Sequence, residues 1–267
     1  VTSAPRPTVT LTSTVLAAPP HPEGPSEAQP ETPREPALGD ALARVADSVA
    51  AAYGGSVGIA VAGAGETLVG GDDGAYPAWS TIKVPIAIAA QRVAPADAQA
   101  LAPAMIQASD NAAAESLWSV ITPPDVDAVL ADTGVQASVN TTKLRPEFSV
   151  FGQTLLTASQ EATLASHLAC VAGAGPVLTL MGSVNADQAY GLGHLPGARL
   201  KGGWGPDVQG SYQVRQLARV ANSRGEDVAL AITVLPADGT YATGQAMANE
   251  AANQLAPLLD ALPTAAC

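Results

Sequence analysis

From Ser80 to Ala90 the chain reads Ser-Thr-Ile-Lys-Val-Pro-Ile-Ala-Ile-Ala-Ala, apolar on nearly every side of a helix apart from Lys83. A helix of that kind belongs inside a domain. Pro85 constrains it further, because proline fits a helix only in its first turns. With 267 residues, 47% of them apolar, there is enough chain to enclose such a helix in a full core. A lysine inside so apolar a run needs a reason.

The flanking sequence predicts what does the enclosing. Asp40 can cap a helix whose apolar positions Leu42, Val45, Val49 and Tyr53 follow helical spacing and which ends at Gly54-Gly55. Short strands follow at 57–62 and 67–69. Alanine-rich helical segments are predicted at about 96–107, 112–121, 124–132, 158–172 and 176–188, with Thr157 and Gln160 as a capping box. Strand character returns at 198–201, 212–220 and 228–235, the last two joined by a turn at 222–226, and a helix at about 243–262 closes the chain. This order implies an α+β fold in which chain-distant strands share one antiparallel sheet. The expected domain is 39–267, with an α/β lobe (39–93 and 198–267) and a helical lobe (94–197). Residues 1–38 hold nine of the 22 prolines and no apolar periodicity, so they read as a disordered stalk or linker.

Composition excludes several function classes. A net charge of −12 is the wrong sign for a surface that neutralises phosphates, so no nucleic-acid partner is expected. His21, His167 and His194 are scattered without ligand spacing, so neither metal nor other cofactor is expected. No window approaches the roughly 20 apolar residues of a spanning helix. The chain begins at Val1 without a basic-then-apolar leader, which suggests an exported, soluble monomer whose stalk would serve as a membrane tether. Cys170 and Cys267 are compatible with one disulfide or with two free thiols.

Three short motifs carry chemistry. Ser80 and Lys83 lie one helical turn apart on one face, where an unprotonated amine can take the hydroxyl proton. Ser109-Asp110-Asn111 falls between two helices, and Lys201-Gly202-Gly203 on a strand. Together and in order they arise by chance about once in ten thousand chains of this composition. Two of the chain's three lysines fall in these motifs, although a solubilising lysine has many equivalent positions to occupy. Gly54-Gly55-Ser56-Val57-Gly58 also fits a nucleophile pattern, but it runs from helix into strand, the reverse of what a nucleophile elbow needs.

The three motifs resemble the S-x-x-K, S-D-N and K-[TS]-G set of class A β-lactamases and penicillin-binding proteins, over about residues 39–267. The resemblance implies a β-lactamase/transpeptidase-like fold, with an antiparallel sheet flanked by helices and an all-helical lobe. It implies Ser80 as acylated nucleophile, Lys83 as its base or proton shuttle, Ser109 as a relay toward the leaving nitrogen, and Asn111 as a holder of the substrate amide. Lys201 would offer positive charge to a substrate carboxylate, and Gly203 would let the ligand come close to the backbone. The amides of Ser80 and Trp204 would form an oxyanion hole.

The match also departs from the pattern. Gly202 stands where the family carries Thr or Ser, and only 29 residues separate Ser80 from Ser109, so the cleft should be more open. The resemblance makes Glu147, in Leu144-Arg145-Pro146-Glu147-Phe148, the candidate base for deacylation, although an ungapped count lands on Arg145. Arg215, on the following strand, is a candidate carboxylate anchor in the cleft. Trp79 and Trp118 read as packing residues, and Trp204 as a cleft residue. The expected function is an exported serine acyl hydrolase or acyltransferase acting on β-lactams or peptidoglycan stem peptides. The alternative is a catalytically silent envelope protein of the same fold that binds ligand without turnover.

Overall fold

The computed structural model describes residues 38–267. The expected stalk lies outside the described residues except for Leu38, which opens the first helix. That helix, α1 (Leu38–Tyr53), leads into β1 (Gly55–Ala62) and β2 (Thr67–Gly71). A two-residue strand, β3 (Tyr76–Pro77), precedes a 3₁₀ turn at Trp79–Ile82 that continues directly into α2 (Lys83–Val93). Helices α3 (Pro95–Gln107), α4 (Asn111–Trp118) and α5 (Pro123–Asp132) follow, then β4 (Leu155–Leu156), α6 (Ala158–His167) and α7 (Ala174–Met181). The chain ends with β5 (Arg199–Pro206), β6 (Tyr212–Ala221), β7 (Asp227–Pro236) and α8 (Tyr241–Leu255).

The five long strands form one antiparallel sheet in the order β2-β1-β7-β6-β5. β1 pairs with β7 from Gly55↔Pro236 to Ala62↔Ala229, so strands from the two ends of the domain share a sheet, as the sequence predicts. Strand alternation sorts side chains by size between the two faces. Ile59, Leu230 and Ile232 pack with α1 and α8 on one face, whereas Ala60, Ala62, Ala229 and Ala231 join the core of the helical layer on the other. Small residues on that face let α6 lie close to the sheet. α2 runs through this second core, with every residue from Lys83 to Ala90 buried. Pro85 is its third residue, where no intrahelical amide bond is lost.

Capping explains where α4 and α6 start, whereas α1 opens at Leu38, so that Asp40 lies in its first turn and not at its cap. Asp110 Oδ1 accepts from the amide of Ala113 at 2.7 Å, so the middle residue of the Ser-Asp-Asn motif is the N-cap of α4. Thr157 and Gln160 form the predicted reciprocal box on α6. Some boundaries differ from the prediction. α7 ends at Met181, because Gly182 follows and the chain turns, rather than continuing to 188. β3 and β4 are too short to show a period in the sequence.

Two cross-links tie distant segments together. Cys170 and Cys267 form a disulfide with a Cα separation of 5.6 Å, fastening the C-terminus to the end of the 3₁₀ turn after α6. Glu161 on α6 and Arg215 on β6, both fully buried, form an ion pair at 2.8 Å. The guanidinium also donates to the carbonyls of Tyr76 (2.9 Å), Pro77 (3.2 Å) and Leu156 (3.0 Å), joining the short β3–β4 pair to the main sheet. Glu161 Oε1 accepts from Thr81, inside the turn that carries Ser80.

Removing one partner of a buried pair strands the other charge. Glu161→Gln is therefore expected to lower stability by about 3 kcal/mol or more, read as a drop in the urea midpoint at unchanged slope. A disulfide closing a loop of 97 residues is worth about 4.7 kcal/mol in the chain-entropy account, so Cys267→Ser should show a loss of that order in the same titration.

Candidate active site

The Ser80 turn is held against β5 by what β5 lacks. A Cβ at Gly203 would stand 2.6 Å from the carbonyl oxygen of Ala78 and 2.9 Å from the amide nitrogen of Ser80. A Cβ at Gly205 would stand 2.6 Å from the indole of Trp79. Gly203, expected to let a ligand come close to the backbone, lets the chain's own turn do so in the structure. Trp79 pays for this fit in backbone geometry, with φ at +50°, a region that costs a bulky residue roughly 1–2 kcal/mol. Gly202 differs from its neighbours, since a Cβ there would meet nothing nearer than the Tyr190 hydroxyl at 3.7 Å, so a larger side chain fits.

Ser109, between α3 and α4, is the other non-glycine residue at positive φ among the described residues, at +58°. That conformation turns two acceptors toward two different lysines. Its carbonyl accepts from Lys83 Nζ at 2.6 Å, and its hydroxyl oxygen lies 2.8 Å from Lys201 Nζ and 3.4 Å from Lys83 Nζ. Lys83 also donates to Asn111 Oδ1 at 2.7 Å, and Lys201 to the carbonyl of Gly202 at 2.9 Å. Both lysines are only 1% exposed. Burial lowers the Lys83 amine to about 8, against the opposing charges of Asp110 and Glu115. Burial, and then the charge of Lys83, push Lys201 well below the ordinary lysine range.

These groups border a cavity of about 400 Å³ lined by Ser80, Lys83, Ser109, Asn111 and Trp204. Lys201 reaches it through the Ser109 hydroxyl. Ser80 shares the cavity with Lys83 but makes no hydrogen bond with its amine, which is directed at Ser109 and Asn111. The rim adds groups that motif reading misses: Glu115, Lys143, Phe148 and Tyr212. Glu115 is four residues beyond Asn111 on α4, and helical spacing alone would have found it. Lys143 is the chain's third lysine, to which the scarcity argument applies equally.

Glu147 also lines the cavity, with its side chain 54% exposed. Its own backbone amide and the Arg145 guanidinium hold the carboxyl below the usual range. Arg145 donates to it from Nε at 3.1 Å and Nη2 at 2.9 Å. Arg145 further donates to the carbonyl of Pro206 at the end of β5 and stacks over Phe148, 4.4 Å from the ring centre. It thereby straps the loop onto the sheet.

Arg215 is not in the cleft. The register Gly203↔Arg215 places it on the sheet face turned toward α6, where Glu161 and four backbone carbonyls occupy its guanidinium. Trp79 packs edge-on to Phe148 with ring centres 5.0 Å apart, and Trp118 packs on Phe151 at 5.3 Å. Trp204 lies over Tyr241 at 5.4 Å. Ser56 lies on β1, and its hydroxyl donates to Asp72 at 2.9 Å. Among the described residues no cluster of His, Cys, Asp and Glu is arranged to hold a metal ion.

No protein-family profile and no curated protein matches this chain. Solved structures do. A β-lactamase from Sphaerobacter thermophilus superimposes with a TM-score of 0.66 at 17% identity, over 84% of this chain and 98% of that one. A class A β-lactamase from Bacteroides cellulosilyticus gives 0.67 at 14% identity over 83% and 98%. One from Mycobacterium abscessus gives 0.63 at 16% identity over 80% and 97%. With its α+β architecture and five-stranded antiparallel sheet, the chain has the β-lactamase-like fold.

Proposed function

We propose that this protein is a serine acyl hydrolase or acyltransferase that forms an acyl-enzyme at Ser80 on β-lactams or on the D-Ala-D-Ala ends of peptidoglycan stem peptides. The observation that carries this reading is the shared hydroxyl of Ser109, set between two buried lysine amines at the edge of the cavity that Ser80 lines. The fold shared with β-lactamases supports it.

The chemistry follows from the positions. An amine near 8 is neutral in a usable fraction of molecules at neutral pH, so Lys83 can take the Ser80 proton as the hydroxyl attacks the amide carbonyl. The amides of Ser80 and Trp204, on a turn and a strand held together by Gly203, would receive the developing oxyanion. Ser109, bonded to Lys201, would then hand a proton to the leaving nitrogen. Asn111 would orient the substrate amide, and Lys201 would supply positive potential for a carboxylate. The disulfide suits an oxidising, extracytoplasmic compartment.

A second reading, binding without turnover, is favoured by two features. Gly202 offers no hydroxyl to a substrate carboxylate, and Arg215, bound to Glu161, offers no charge.

Incubation with a fluorescent penicillin, followed by mass spectrometry, tests both readings. The expected result is an adduct on the Ser80 peptide that is absent in Ser80→Ala and forms about 100-fold more slowly or worse in Lys83→Ala. Because the reactive amine is the neutral form, acylation should fall about tenfold per pH unit below 8 and level off above it. Saturable binding with no adduct would establish the second reading. Neither binding nor adduct, with β-lactams and with D-Ala-D-Ala peptides, would sink both.

A further inference from the structure

Release of an acyl group from Ser80 requires a proton acceptor for the attacking water, and two carboxylates line the cavity, Glu147 and Glu115. Glu147 is already engaged. It accepts two hydrogen bonds from Arg145, whose remaining contacts fasten the loop to β5, and a carboxylate held in that way is a weak base. Glu115 forms no ion pair and no side-chain hydrogen bond among the described residues. It stands on α4 one turn beyond Asn111, on the same helix face, and Asn111 Oδ1 is 2.7 Å from Lys83 Nζ. Its charge reaches that amine, because it is one of the two carboxylates that hold Lys83 up against burial.

We infer that Glu115 is the general base of deacylation, and that this function sits on the helical wall of the cleft rather than on the loop that carries Glu147. The assignment rests on the acyl-enzyme reading above. In the step, the Glu115 carboxylate takes a proton from water as the water oxygen bonds to the ester carbonyl carbon. The bond from that carbon to Ser80 Oγ then breaks, and the proton passes through Lys83 to Oγ. Ester and water give a carboxylic acid and free Ser80, with Glu115 again ionised.

The side chain of Glu115 is exposed, so its replacement leaves the core intact. Acylate the full chain with the fluorescent penicillin, remove excess reagent, and follow loss of the Ser80 adduct by mass spectrometry in wild type, Glu115→Gln, Glu115→Asp and Glu147→Gln. Glu115→Gln should form the adduct and release it at least about 100-fold more slowly than wild type, with Glu115→Asp in between. Release at the wild-type rate from Glu115→Gln overturns the assignment. So does trapping by Glu147→Gln alone, or a wild-type adduct that never releases. Failure of the wild type to form any adduct is a different result, because it removes the acyl-enzyme itself.

Discussion

Two ammonium-bearing side chains are taken out of water around one serine hydroxyl, and the rest of the structure is arranged to tolerate it. Burying a charge costs several kcal/mol even after relaxation, and two like charges sharing an acceptor add mutual repulsion. Lys83 and Lys201 meet that cost partly by hydrogen bonds to Ser109, Asn111 and the carbonyl of Gly202, and partly by lowering their affinity for protons. Neither lysine can retreat. Lys83 is anchored at the start of a helix buried on all sides, and Lys201 on a strand paired along its length with β6. The buried Glu161–Arg215 pair and the disulfide supply rigidity in the same layer.

Among the described residues, both non-glycine residues at positive φ lie in the same place. Trp79 and Ser109 both border the cavity, and each has the left-handed conformation that puts a neighbouring group where it is needed. For Trp79 that group is the amide of Ser80, brought to β5 across the gap that Gly203 leaves. For Ser109 it is a carbonyl and a hydroxyl aimed at separate lysines. Strain of this kind persists only where surrounding packing over-determines it, and here α2, α4 and β5 close on it from three sides.

How much of this could be read from the sequence depends on the range over which each feature is encoded. The helical run at 80–90, which starts as a 3₁₀ turn and becomes α-helix at Lys83, the capping box at Thr157 and the partnership of the first and last strands are written in local patterns or in element order, and all are present. The face on which Arg215 lies is not local. It is set by register, since a shift of one residue along β6 reverses every side chain, and nothing near Arg215 names Gly203 as its partner. The buried Glu161 that claims it is 54 residues away. Gly203 is legible as a glycine in a motif, but its steric reason, the turn at Ala78–Ser80, lies more than 120 residues upstream. Glu115 was within reach, because the i, i+4 spacing from Asn111 shares a helix face just as the i, i+3 spacing of Ser80 and Lys83 does.

The wall formed by residues 140–153 shows how the residue that anchors a loop constrains its neighbours. Arg145 lies where an ungapped count from Ser109 would place the acid of a class A enzyme, and in this chain it acts as a strap, holding Pro206 and Glu147 and packing on Phe148. A strap needs a cation with several planar donors, which a carboxylate cannot provide. With that position holding the loop, the acid two residues later pairs with the guanidinium. The opposite wall has no such demand on it. α4 is already fixed by its Asp110 cap and by Asn111 at Lys83, so a carboxylate one turn further along inherits that position without additional structure.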